Sequence, residues 1–128
     1  MQSKHLKQEL LQLDAGKRIQ FIVVFGSVAA GRANALSDVD VAVYYQGTPE
    51  ERFQFRKKML GTLPEKVDVQ IFQDLPVAVQ KEVLSGKVLY YQDFQFMFDE
   101  YLKVIQEYDF FEKHQREYFA VLEANNGT

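Results

Sequence analysis

The sequence predicts an α/β (α+β) fold, with strands and helices interleaved along one chain. Three observations point there. Short runs rich in β-branched and aromatic residues fall at 19–25, 38–45 and 67–72, helix-spaced segments lie between them, and Gly or Pro punctuates most junctions. A length of 128 residues suits one domain, and 47% hydrophobic with 26% charged residues excludes disordered and collagen-like classes.

Taken in order, Ser3 can cap a first helix in which Leu6, Leu10, Leu11 and Leu13 recur at near-helical spacing, with Gly16 ending it. Ile19-Gln-Phe-Ile-Val-Val-Phe25 is apolar on both faces, as a buried central strand is. Gly26-Ser27 stops that strand, and the small residues of 28–36 suit one or two helical turns and a loop. From Asp38 to Tyr45 the alternation is clean, with Val39, Val41 and Val43 on one face and Asp38, Asp40, Ala42 and Tyr44 on the other. Thr48-Pro49-Glu50-Glu51 starts a helix with Pro and acids in its first turn, running to about Leu60 and stopped by Gly61 and Pro64. Val67–Phe72 alternates again, with Asp68 on the less apolar face. Pro76 opens a helix to about Ser85, and Val88–Tyr91 is a short extended piece. From Asp93 to Asn125 there is neither Pro nor Gly. Phe94, Phe98, Tyr101, Ile105, Tyr108, Phe111, Tyr118 and Leu122 follow steps of three and four, broken at Gln115, which predicts one long helix or two with a bend.

Composition narrows the function. The chain has no Cys, which removes disulfides, thiolate metal sites and cysteine nucleophiles. It has no apolar run of membrane-spanning length and no signal-peptide core at Met1–His5, so the expected location is the cytoplasm. The net charge of −3 is uneven: residues 1–92 carry 12 Lys/Arg against 10 Asp/Glu, and residues 93–128 carry 3 against 8. Nine of the 18 aromatic residues fall in that acidic tail. An acidic aromatic tail argues against a nucleic-acid platform and suits a surface that meets a protein, a basic one in particular.

Asp38, Asp40 and Asp68 are conspicuous because Asp is disfavoured in strands. Asp38 and Asp40 leave the sheet on one face, and Asp68 joins them if strand 67–72 pairs with strand 38–45. Like charges that close raise at least one pKa unless a cation is present. All-oxygen ligation suits Mg²⁺ or Mn²⁺, and a pair of such ions about 3.5–4 Å apart is the usual clamp for phosphoryl or nucleotidyl displacement. Upstream, Gly26-Ser27 at a strand end can admit a phosphate to the backbone and offer it a hydroxyl, and Gly31-Arg32 adds a flexible point and a planar cation. Each feature alone has an ordinary explanation as a turn, a strand edge or a solvated charge; their ordered conjunction is much rarer. His5 and His114 are isolated on helical segments, Arg56-Lys57-Lys58 reads as a solvated helix face, and Tyr44-Tyr45 and Tyr90-Tyr91 divide between core and surface.

Gly26-Ser27-x3-Gly31-Arg32-x4-Ser37-Asp38-x-Asp40-x2-Val43 resembles the signature of the minimal nucleotidyltransferase (MNT) branch of the DNA polymerase β-like superfamily. Val67-Asp68-Val69 and Gly86-Lys87-Val88-Leu89-Tyr90 are similar to its downstream segments, so the likeness covers roughly residues 15–92. It implies a palm with a mixed, mostly antiparallel sheet flanked by helices. It also implies that Asp38 and Asp40 bind metal with Asp68 as third ligand, that Gly26 and Ser27 hold a triphosphate, and that Arg32 contacts it. The implied reaction is Mg²⁺-dependent, with two ions, and moves AMP from ATP to a hydroxyl. Stand-alone members of the branch resemble the antitoxin of HEPN–MNT toxin–antitoxin pairs, in which a tyrosine of the HEPN ribonuclease is the acceptor. Two alternatives stay open: a small-molecule acceptor, as in aminoglycoside nucleotidyltransferases, and an antitoxin that acts by binding alone. We expect one domain over residues 1–128, with residues 1–92 as the catalytic palm and 93–125 as a helical extension that either covers the sheet or reaches a partner.

Overall fold

The computed structural model describes residues 3–26 and 38–126. Its elements are α1 (Ser3–Leu13), β1 (Ile19–Phe25), β2 (Val39–Tyr45), α2 (Pro49–Thr62), β3 (Val67–Ile71), a 3-10 turn (Phe72–Asp74), α3 (Val77–Val83), β4 (Lys87–Tyr91) and α4 (Phe94–Asn126). The helical turns expected within 28–36 lie outside the described residues, as do Ser27, Gly31, Arg32 and Ser37.

Every residue of β1 is buried, as its two-faced apolar pattern predicts. The sheet order is β3-β2-β1-β4. β1 pairs antiparallel with β2 and β4, whereas β2 pairs parallel with β3, so the sheet is mixed and mostly antiparallel. On one face Ile22, Val24, Val41, Val43, Val69 and Ile71 meet Leu6 and Leu10 of α1 and Phe55 and Met59 of α2. On the other, Phe21, Val23, Phe25 and Ala42 join Phe72, Val83 of α3 and Met97 and Val104 of α4. Strand alternation thus sorts the helices into two outer layers. Among the described residues, no helix is long and apolar enough to cross a membrane.

Buried Asp14 controls the entry to β1. Its Oδ1 accepts from Arg18 N at 2.9 Å and its Oδ2 from Ile19 N at 2.7 Å. Without the carboxylate, both amides lose their partner beside an apolar strand. Asp14→Ala is therefore expected to cost about 2–3 kcal/mol in urea unfolding, and a loss below about 0.5 kcal/mol contradicts this role.

Helix α2 starts as expected, with a capping box in which Glu51 N donates to Thr48 Oγ1 and Thr48 N to Glu51 Oε1. Hydrogen bonds from Thr48, then Arg18, hold the Glu51 carboxyl down at about 2. The expected stop at Gly61 is corrected: the helix runs through it to Thr62 and ends at extended Leu63, whose N–H donates to Met59 O. A glycine costs a helix only about 1 kcal/mol, and burial of Met59 and Leu63 on the core offsets it. The basic run is also less solvated than expected. Arg56 Nε donates to Val69 O at 2.9 Å, and Lys58 Nζ donates to Leu13 O at 3.1 Å.

Residues 94–126 form one helix. Asp93 Oδ1 accepts from Gln95 N and Phe96 N, which satisfies free amides at its start. Met97 and Val104 are buried and Phe96, Tyr101 and Tyr108 half-buried, while Phe94, Phe98 and Ile105 face solvent. The inward line therefore departs from part of the predicted stripe, because α3 and β1 meet only one side of the helix. From Asp109 to Ala124 every side chain is exposed. One helix both covers the sheet and extends beyond it.

Candidate active site

Three backbone features bring the predicted residues together. The parallel register of β2 with β3 sets Asp40 directly beside Asp68. The antiparallel register of β1 with β2 sets Asp40 beside Phe25, the last residue of β1. Gly26 follows with φ +79°, in the left-handed region, and a Cβ there would lie 2.6 Å from Asp40 Oδ2. The turn after β1 thus passes against the Asp40 carboxylate at a distance that only glycine permits. Asp38 is exposed one residue before β2.

Alternation places Asp40 and Asp68 on the sheet face that carries α3 and α4. There Asp40 is half-buried, and Asp68 stays exposed with Gln70 Nε2 donating to both its oxygens at 3.3 Å. Burial raises the Asp40 pKa above its ordinary value, and the negative fields of Asp68, Asp38 and Glu82 raise it further. Glu82, on α3, is absent from the sequence-derived set. Nothing distinguishes it from any exposed helical glutamate until packing brings α3 over this face. Of the remaining candidates, exposed His114 sits 3.7 Å from Glu117, and His5 is exposed on α1. Tyr45 stacks on Phe55, and Tyr44 packs among Phe21, Phe72 and Phe96.

Chemically, this is a patch of hard oxygen donors beside a glycine turn, with Asp68, Asp38 and Glu82 adding negative field at Asp40. Among the described residues, no three His, Cys, Asp or Glu side chains form a group that could hold a metal ion unaided. The donor set nevertheless fits magnesium, which commonly takes one or two carboxylates and completes its shell with water and substrate phosphates.

The family of this chain follows from a match of residues 7–95 to the polymerase beta nucleotidyltransferase family. The chain belongs to that family. The match includes β1, β2 and β3, the strands that carry the acidic patch. No curated protein sequence matches this nucleotidyltransferase. Solved structures similar to it include a chain of a toxin–antitoxin structure with AMP-PNP, at 22% identity and TM-score 0.75, covering 95% of this chain and 98% of the other. A chain of the MntA–HepT toxin–antitoxin structure aligns at 20% identity and TM-score 0.67, covering 94% and 96%. A chain from a complex of tri-AMPylated Shewanella oneidensis HEPN toxin with MNT antitoxin aligns at 19% identity and TM-score 0.68, covering 94% and 98%. At these identities the likeness is one of fold, and it extends over α4 as well as the sheet.

Proposed function

We propose that this nucleotidyltransferase transfers AMP from ATP to a tyrosine hydroxyl of a HEPN-type toxin, and so acts as its antitoxin in the cytoplasm. The observation that carries the reading is Asp40, in register with Asp68 and pressed against the Gly26 turn. The fold's occurrence in toxin–antitoxin complexes, one holding an AMPylated toxin and another AMP-PNP, supports the choice of acceptor and donor. The chain works as one domain, with residues 1–92 supplying the chemistry and 93–125 a surface for the acceptor.

In the transfer, the tyrosine oxygen attacks the α-phosphorus of ATP. The bond from that phosphorus to the oxygen bridging to the β-phosphorus breaks, pyrophosphate leaves and the hydroxyl proton passes to solvent water. Asp38 and Asp40, with Asp68 as third ligand, would hold two Mg²⁺ ions, with Mn²⁺ able to substitute. When bound, these cations neutralise phosphate charge and lower the pKa of the attacking hydroxyl. Gly26 admits the triphosphate to the backbone because it lacks a side chain, and Ser27 and Arg32 contact its oxygens. Asp40 and Asp68 stand in register on adjacent strands, so the sheet itself fixes the separation of their backbone positions.

The test incubates the protein with labelled ATP, Mg²⁺ and the co-expressed toxin. Asp38→Ala with Asp40→Ala should reduce transfer at least about a thousandfold, the equivalent of several kcal/mol of charge stabilisation. Undiminished transfer overturns the site. Full neutralisation of the toxin by the inactive double variant favours action by binding alone.

A further inference from the structure

The inward line of α4 does not stop where the body of the protein stops. Met97, Tyr101, Val104, Tyr108, Phe111, Gln115, Tyr118 and Leu122 are spaced four, three, four, three, four, three and four residues apart. That alternation is the 3.5-residue repeat of a helix seam made to pack along another helix. The first half of the seam is in use, since Met97 and Val104 are buried, Tyr101 is half-buried against α3 and β1, and Tyr108 is half-buried with Lys81 of α3 over its ring. The second half continues in the same register, yet Phe111 is 39%, Tyr118 63% and Leu122 37% exposed. Phe119 and Val121 widen this strip with further exposed apolar surface.

Charge selects the occupant. Residues 105–124 carry five acids (Glu107, Asp109, Glu112, Glu117 and Glu123) against Lys113 and Arg116. Beside the seam, the positions whose side chains face a partner helix across the contact are Glu107, Glu112, His114, Phe119 and Val121, which include two acids and no Lys or Arg. In a parallel pair of two copies, Glu107 of one would meet Glu112 of the other. In an antiparallel pair, Glu112 would meet Phe119. Neither self-pairing supplies a positive partner. We propose that the distal seam of α4, centred on Phe111, Tyr118 and Leu122, docks an amphipathic helix of another protein whose seam is flanked by Lys or Arg. Gln115 sets the register of that contact as a polar interruption of an apolar seam. This inference names the kind of surface that the proposed acceptor presents, but it rests on the seam and its charge, and not on the transfer chemistry.

The experiment uses the full chain and two synthetic helical peptides with identical Leu/Ile seams, one flanked by Lys and one by Glu. Titration calorimetry should show the Lys-flanked peptide binding at least tenfold tighter. Tyr118→Glu with Leu122→Glu should abolish its binding, while Ala120→Glu, on the opposite side of the helix, should retain it. Circular dichroism of each variant checks that α4 remains helical. Equal binding of both peptides, binding of neither, or equal loss in the Ala120→Glu variant overturns the proposal. A dimer of the chain alone in sedimentation, dissolved by Tyr118→Glu with Leu122→Glu, assigns the seam to a second copy instead. Failure of the peptides to bind leaves AMP transfer to the toxin intact, so the two readings fail separately.

Discussion

Asp40→Asn is expected to abolish the proposed AMP transfer and to make the protein more stable. The carboxylate is half-buried in the field of Asp68, Asp38 and Glu82, and its pKa lies above its ordinary 3.8. A group that holds its proton more tightly when folded contributes stability below its unfolded pKa and loses that contribution as pH rises through its folded pKa. At pH 7.5 the ionised side chain therefore opposes folding, and an uncharged amide of the same shape removes the opposition. The gain should be on the order of 1 kcal/mol, modest because the group is partly solvated, or about 3–4 °C in melting temperature. The wild type should close the gap as pH falls through the raised pKa of Asp40, where the carboxylate takes up its proton. Added Mg²⁺ should also narrow it at pH 7.5 by raising the wild-type melting temperature alone. A variant less stable than wild type at neutral pH would mean that the carboxylate is a structural asset, contrary to its surroundings.

Gly86→Ala should be the most damaging single methyl group in the described sheet. A Cβ at Gly86 would sit 2.3 Å from the carbonyl oxygen of Val24 and 2.9 Å from Val23 Cγ1. The obstacle is backbone of the central strand, which cannot rotate away as a flexible side chain can. Gly86 N also donates to Val83 O at 2.9 Å, so the residue is held from the α3 side as well. Either β4 separates from β1 or β1 is displaced from β2, and both routes open the core. The expected cost is about 3 kcal/mol or more, the upper end for overpacking, and a fall of about 10 °C in melting temperature. Urea unfolding measures it, and a loss under about 1 kcal/mol would show that β4 can retreat without penalty.

Much of this architecture is legible in the sequence because its signals are local. The two-faced run at 19–25 is a fully buried strand, and the alternating runs at 39–45 and 67–71 each bury their valine face. The capping box at Thr48 and Glu51 is likewise read directly from residue types. What escapes is what depends on partners. Alternation places Asp40 and Asp68 on faces of their own strands, but the parallel register that sets them side by side arises only when the strands meet. Glu82 enters the field of Asp40 through helix packing that leaves no mark in its neighbours. In α4, several apolar lines overlap on one cylinder, and only its contact with α3 and β1 selects the line through Met97 and Val104. Ser27 and Arg32, the residues proposed to contact a triphosphate, lie outside the described residues.

The parallel pairing of β2 with β3 also has a consequence in time. Antiparallel strands can close through a tight hairpin, but parallel neighbours require a crossover, here the segment that contains α2. A chain emerging from the ribosome can pair β1 with β2 early, yet it cannot juxtapose Asp40 and Asp68 until residue 71 is available and the crossover has closed. Non-local contacts of this kind form late in folding. With the proposed site, a nascent or partly folded copy would then be catalytically silent, and competence would arrive together with the finished sheet.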